Sequence, residues 1–144
     1  MPKRRGPTPK VEIDFVMLAD TAEVVNQKLY MLGGAWNVVW AKAYPANHPM
    51  AIAVGILVPW ALTDEDHTVT VELKDQDENP IAPILTAQAK VGRPVNLKPG
   101  TAQRLMFVVQ GIFGIPRAGS YVVRATVGDV SRSASFDAVM SAAS

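Results

Sequence analysis

The chain has 144 residues, of which 49% are hydrophobic and 19% charged, and it contains no cysteine. This composition is too apolar and too lightly charged for a disordered protein, and the length suits one domain with one core. Without cysteine there is no disulfide, no thiolate nucleophile and no cysteine-bound metal.

The basic charge is concentrated at the N-terminus, within residues 1–10. The basic side chains there are Lys3, Arg4, Arg5 and Lys10, and the stretch contains no acid. Its prolines and Gly6 oppose regular structure, so we expect an extended arm with a polyproline II bias. These four residues either contact an anionic surface such as nucleic acid or belong to a solvated terminus. The rest of the chain is mildly acidic.

The apolar stretches are short. The longest, at residues 11–19 and 51–60, are about half as long as the roughly 20 residues of a membrane-spanning helix. The basic start leads into Val11–Asp14 instead of the uninterrupted apolar segment and small-residue cleavage site of a secretory signal. We therefore expect a cytoplasmic protein without a membrane-spanning segment.

Apolar segments alternate with turn residues from Val11 to Phe136, and no long window has the 3.6-residue period of a helix. The pattern predicts a polar connection at 20–27, with or without one helical turn, and a bulge or sharp bend at Gly33–Gly34. The loop predicted at 111–119 carries apolar residues. The predicted strands lie at 11–19, 28–32, 35–40, 50–58, 68–75, 81–91 with a break at Pro83, 104–110, 121–127 and 130–136.

Seven to nine strands of this length, separated by turns, predict an all-β, two-sheet antiparallel β-sandwich over residues 11–137, with a closed barrel as the alternative. Residues 138–144 are predicted to be a featureless tail. The sequence Pro116-Arg-Ala-Gly-Ser-Tyr121 resembles the Pro-x-x-Gly-x-Tyr start of a late strand in immunoglobulin-like sandwiches. That resemblance implies a corner tyrosine at Tyr121, with its hydroxyl on the backbone; otherwise Tyr121 is an aromatic at the core edge.

The first half of the chain resembles a family of small uncharacterised bacterial proteins, classed as a domain of unknown function. The matching residues are Asp20, Ala22, Val24, Lys28, Leu29, Gly33, Gly34 and Trp36. The resemblance spans residues 11–136 and leaves out the arm. Since no activity is established for that family, the resemblance implies a fold and supplies no chemistry.

Few residues can carry catalysis. The only imidazoles are His48 and His67, and both are expected in exposed loops, which does not favour a catalytic triad. The acidic run at 64–67 is expected to be a solvated turn, because alternate residues of an extended turn point apart. Residues 75–80 are expected to form a turn in which Asp and Asn side chains accept hydrogen bonds from nearby backbone N–H groups. Asp75, Asp77 and Glu78 lack the glycine and the twelfth-position glutamate of a calcium loop. We expect a protein that is not an enzyme and has no metal or cofactor.

Aromatic residues give the best binding candidates. Trp36 and Trp40 share strand parity, so they face the same side unless a bulge intervenes. Trp36 is expected in the core, whereas core and surface positions remain open for Trp40 and Trp60. The candidate binding residues are Trp40, Trp60, Ile112 and Phe113, the last two in an apolar loop.

These features favour a non-enzymatic sandwich that acts through protein–protein contacts, as a subunit of a homo-oligomer or larger structural assembly. One alternative is a nucleic-acid or polyanion binder that uses the arm, although the acidic body disfavours it. The other is a small-ligand-binding module around the tryptophans.

Overall fold

The computed structural model describes residues 8–142 and forms two stacked sheets, which confirms the all-β sandwich. A short 3₁₀ helix over Trp60–Leu62 follows the fourth strand. The strands are β1 (Glu12–Val25), β2 (Lys28–Gly34), β3 (Val38–Ala41), β4 (Ala46–Val58), β5 (His67–Asp75), β6 (Leu85–Ala89), β7 (Gln103–Ile115), β8 (Gly119–Val127) and β9 (Val130–Met140). No helix in the described range is long and apolar enough to cross a membrane.

The strand order is β2-β1-β4-β7 in the four-stranded sheet and β3-β9-β8-β5-β6 in the five-stranded sheet. Within the described range, pairing is antiparallel except between β3 and β9, which run parallel. In one sheet β1, β4 and β7 correspond to strands A, B and E of an immunoglobulin-like sandwich, and in the other β9, β8 and β5 correspond to G, F and C. The strand order therefore agrees with the immunoglobulin-like architecture.

The core lies between the sheets and is built from inward-facing residues of every strand except β2. Val69, Val71 and Leu73 on β5 are all buried, as their alternation predicts. Phe136 on β9 is 1% exposed and stacks on Tyr121 with 5.4 Å between ring centroids. The Tyr121 hydroxyl donates a hydrogen bond to the Arg117 carbonyl at 2.6 Å, which confirms the corner tyrosine.

The first strand is longer than predicted. The segment predicted as a polar connection, residues 20–27, forms the end of β1 and a two-residue turn, because β2 pairs with β1 from Gly34–Ala19 to Lys28–Val25. Asn26 and Gln27 have φ values of 50° and 61°, as in the primed turns that suit hairpins. The predicted connection was wrong because polar residues on an exposed hairpin do not disrupt a strand.

Other boundaries also differ from prediction, among them the start of β4, which lies at Ala46 instead of residue 50. The predicted loop at 111–119 is wrong in its first half, because β7 continues to Ile115 in register with β4. β9 runs three residues into the predicted tail, because β3 pairs with it as far as Met140. The strand predicted at 81–91 is confined to Leu85–Ala89.

Candidate functional site

The outer face of the four-stranded sheet is apolar. On β4 every residue from Met50 to Ile56 is buried, although only alternate ones point into the core. The outward residues at the centre of β4 are small and lie between larger side chains of β1 and β7. This face consists of Phe15, Met17, Ala19, Ala51, Ala53, Gly55, Leu57, Met106, Val108 and Ile112.

The side chains of this outer face pack against one another. The Phe15 ring lies directly on Gly55, where a Cβ atom would overlap it. Glycine is required there by this close approach, since Gly55 is not among the positive-φ residues. Ala19, Ala22 and Ala51 form a second buried cluster on the same side of the sheet, and Leu29, Met31 and Val108 pack against it.

Polar groups lie at the rim of the face and are paired. Arg104 Nε donates to Asp14 Oδ2 at one end. At the other end Gln110 Oε1 accepts hydrogen bonds from the Thr21 hydroxyl at 3.1 Å and the Ala22 N–H at 3.3 Å. An apolar centre with a polar rim is the usual anatomy of a protein–protein interface.

A groove of about 680 Å³ lies beside this rim, at the β1–β2 hairpin. It is lined by Thr21, Ala22, Glu23, Tyr30, Met31, Leu32 and Gln110. Tyr30 is 52% exposed and Leu32 is 71% exposed, so the hairpin extends the apolar character of this side of the molecule.

The predicted binding residues do not come together. Trp60 follows the end of β4, whereas Ile112 pairs with Pro49 near its start. Trp40 is on the other sheet, on the short edge strand β3, and is 66% exposed. Ile112 is 73% exposed on the apolar face. Phe113 is wrong as a surface candidate: β7 turns it inward, and it is 9% exposed.

The three tryptophans have different environments. Trp36 packs edge-on against Phe136 at 6.0 Å and His48 at 5.6 Å, which agrees with its expected core position. It lies before β3, so strand parity does not place it on the same side as Trp40. The Trp36 Nε1 atom is buried without a hydrogen-bond partner among the described residues. Trp60 carries the Arg93 guanidinium over its ring at 4.3 Å.

Neither histidine is in an exposed loop, contrary to expectation. His48 lies in β4 beside Trp36, and burial lowers its pKa while the nearby Asp20 carboxylate opposes the shift. His67 Nε2 lies 2.8 Å from the Leu62 carbonyl oxygen. Both rings are half-buried in structural contacts.

The acidic turn after β5 is organised by Asp75, which is 4% exposed and, as the turn pattern predicts, accepts hydrogen bonds from nearby backbone N–H groups. Its carboxylate accepts hydrogen bonds from the N–H groups of Asn79 and Asp77, both at 2.9 Å, and from the Arg117 guanidinium at 2.9 Å. The Asn79 N–H is the largest cause of a lowered Asp75 pKa, and Arg117 adds to it. Burial opposes this shift.

Glu78 in the same turn faces two cations. Hydrogen bonds from Arg124 and then Lys74 lower its pKa. Over residues 8–142, no group of three or more aspartate, glutamate and histidine side chains is arranged to hold a metal ion.

One salt bridge of the N-terminal arm lies within residues 8–142. Lys10 lies 3.2 Å from Asp129, with both side chains more than half exposed. The other arm candidates, Lys3, Arg4 and Arg5, lie outside the described residues.

The model of DUF6941, a family of unknown function, matches residues 14–136. The chain belongs to this family. The match confirms the resemblance noted in the sequence and covers the sandwich, including all nine strands in whole or part. No curated protein and no solved structure matches this DUF6941 member.

Sequence reasoning missed the apolar face. The continuous apolar character of β4 and β7 is typical of strands that are covered on both faces. The available signal was Ala51, Ala53 and Gly55 at alternate positions of β4, small residues that leave room for neighbouring side chains. This alternation does not reveal that the surface above it is free.

Proposed function

We propose that this DUF6941 protein is a non-enzymatic sandwich that acts through protein–protein contacts, as a subunit of a homo-oligomer or larger structural assembly. The observation that carries the proposal is the apolar outer face formed by β1, β4 and β7. An antiparallel sheet with one face in water normally places polar residues on that face. Here the outward positions hold methionine, phenylalanine, valine and alanine instead.

The size of this face supports the proposal. The three strands run side by side over the eight residues Glu12–Ala19, about 27 Å, and span about 14 Å in width. The flat area is therefore about 400 Å², within the size range of the largest patches on soluble monomers, which are often functional.

The chemistry of the face supports a protein partner over a charged polymer. Phenylalanine and methionine are enriched in interface cores, whereas lysine and glutamate are depleted there. The charged pair nearest the face, Asp14 with Arg104, is neutralised within the chain. The alternatives based on the arm and on the tryptophans find less support, because Lys10 pairs with Asp129 and Trp60 with Arg93.

A cytoplasmic location remains part of the proposal.

Light scattering coupled to size-exclusion chromatography tests the proposal. We expect the unmodified protein to self-associate, and Met17→Glu at the centre of the face to weaken association about tenfold or more, because a charge must then be desolvated in the contact. Ile112→Glu is a second variant that alters a side chain already 73% exposed, so folding is preserved. The matched control is Ser131→Glu, which adds the same charge to the exposed outer face of the five-stranded sheet.

Melting temperatures separate association from folding. Both face variants should melt within a few degrees of the control when compared as monomers. A protein that is monomeric at all concentrations, or one that dissociates equally in all three variants, would overturn the proposal.

A further inference from the structure

β7 is a long edge strand with an unpaired side. It has 13 residues, and its only partner strand in the described range is β4. Within residues 8–142 no loop forms a backbone hydrogen bond with it. Alternate N–H and C=O groups therefore point away from β4, as a template for another strand.

The core-facing side chains of β7 are incompletely covered. Leu105, Phe107 and Val109 point inward and are half-buried, whereas their partners on β4, Ile56, Val54 and Ile52, are at most 1% exposed. An apolar cleft of about 200 Å³ opens between β7 and β6. It is lined by Val54, Val69, Val71, Leu85, Thr86, Ala87, Phe107 and Val109. One more strand beside β7 would cover this opening.

The other three sheet edges are shorter. β2 has seven residues, β6 five and β3 four. β7 also lacks the proline and lysine residues that usually block edge pairing. Its single charge, Arg104, is paired with Asp14.

We propose that a second copy of this chain pairs with β7 through its own β7, antiparallel, about a two-fold axis at Val109. This inference rests on the proposed self-association and names the contact that produces it. Val109 is the midpoint of Gln103–Ile115, so this register pairs the whole strand. A two-fold axis also makes the contact isologous, the commonest arrangement in homodimers.

The register is compatible with the side chains. It places Arg104 opposite Gly114 and Met106 opposite Ile112, so no like charges meet. On the inner side Phe107 lies opposite Gly111, where the ring has space.

Edge pairing also enlarges the apolar outer face. A two-fold axis perpendicular to the sheet leaves both outer faces on the same side of an eight-stranded sheet. The combined flat area is about 800 Å², which is what one partner buries in a stable interface of standard size. Each edge-paired dimer then docks on another through this face, giving an assembly of four chains.

Cysteine crosslinking tests the edge contact, and the native chain contains no cysteine to interfere. In the proposed register Val108 lies opposite Gln110 of the other copy. Cross-strand Cα atoms are about 4.5–5.5 Å apart, within reach of a disulfide. Two Val108 residues would be about 8 Å apart, beyond that reach.

We therefore expect Val108→Cys and Gln110→Cys to form a covalent dimer on oxidation when mixed, about tenfold more than either variant alone. The matched control is a mixture of Tyr30→Cys and Leu32→Cys on β2, the opposite edge of the same sheet, which should not crosslink. Crosslinking of Val108→Cys alone, or equal yields with and without mixing, would overturn the proposed pairing.

Repeating the test with Met17→Glu in both variants separates the two proposals. If the crosslink persists and the mass falls from four chains to two, both contacts are supported. If Met17→Glu abolishes association and the mixture never crosslinks, the edge pairing is overturned while the proposed face contact stands. If the mixture crosslinks and the mass is unaffected by Met17→Glu, the face contact is overturned and the edge pairing stands.

Discussion

The two sheets present opposite surfaces to solvent. The outer face of the five-stranded sheet carries threonine, serine and a group of charges in which Lys74 and Arg124 both contact Glu78. The outer face of the four-stranded sheet carries the apolar layer around Met17 and Gly55. Both sheets have an apolar inner face that packs in the core. Core packing therefore does not account for the difference in polarity between their outer faces.

This difference indicates which outer face is the better candidate for a binding surface. A polar face needs no partner, because its side chains pair with each other or with water. An apolar face of about 400 Å² costs free energy in water and is retained when a partner covers it. The contrast therefore points to the four-stranded sheet, although the most conspicuous exposed aromatic, Trp40, is on the five-stranded one.

The largest expected effect is the difference in stability between alanine variants of two tryptophans near the five-stranded sheet. Trp36→Ala should lower the free energy of unfolding by about 2–4 kcal/mol, since it leaves a cavity beside Phe136. Trp40→Ala should change it by less than about 0.5 kcal/mol, because the side chain is already exposed. Urea denaturation measures both.

Trp36→Phe provides the control for this comparison. It keeps an aromatic ring and removes the unpartnered indole N–H, so it should destabilise less than Trp36→Ala. If Trp40→Ala had a lower free energy of unfolding than Trp36→Ala, the stability of the fold would depend on the exposed Trp40 side chain on the polar face.

A smaller effect tests how tightly the apolar face is packed. Gly55→Ala should cost about 1–3 kcal/mol, because the added methyl group meets the Phe15 ring. Gly111→Ala, on β7 of the same sheet, is the matched control, since its added Cβ atom would lie 3.9 Å from the Phe113 ring, an ordinary van der Waals distance. Equal stabilities for the two variants in thermal denaturation would mean that Phe15 moves aside and the face is loosely packed.

The smallest expected effect on stability at neutral pH concerns the acidic turn after β5. The lowered pKa of Asp75 means that its carboxylate stabilises the fold above its ordinary pKa of 3.8 and that this contribution is lost as pH falls through the folded value. Asp75→Asn retains an acceptor oxygen but loses the charge opposite Arg117. Its melting temperature should be lower than that of the unmodified protein at pH 7, and the gap should close in acid.

Asp77→Asn is the control for this turn, because its side chain is exposed. It should melt like the unmodified protein across the same pH range. A gap between Asp75→Asn and the unmodified protein that widens in acid would contradict the assignment.

The candidate site was only partly predictable. Ile112 was identified as an exposed apolar residue, but it was assigned to a loop over residues 111–119. Pairing with β4 kept that segment extended and turned Phe113 inward. Such pairing joins residues more than 60 positions apart, a separation that a local pattern does not contain.

The sequence alone determined the all-β class and the alternation of β5, because these depend on side chains a few residues apart. The corner tyrosine was also predictable, since its hydrogen bond spans four residues. Only the tertiary structure decided which apolar residues face the core and which face solvent. β4 is apolar on both sides, so its sequence is the same whether the outer side meets another layer or remains free. The arrangement of the two sheets leaves that side uncovered by any other part of residues 8–142.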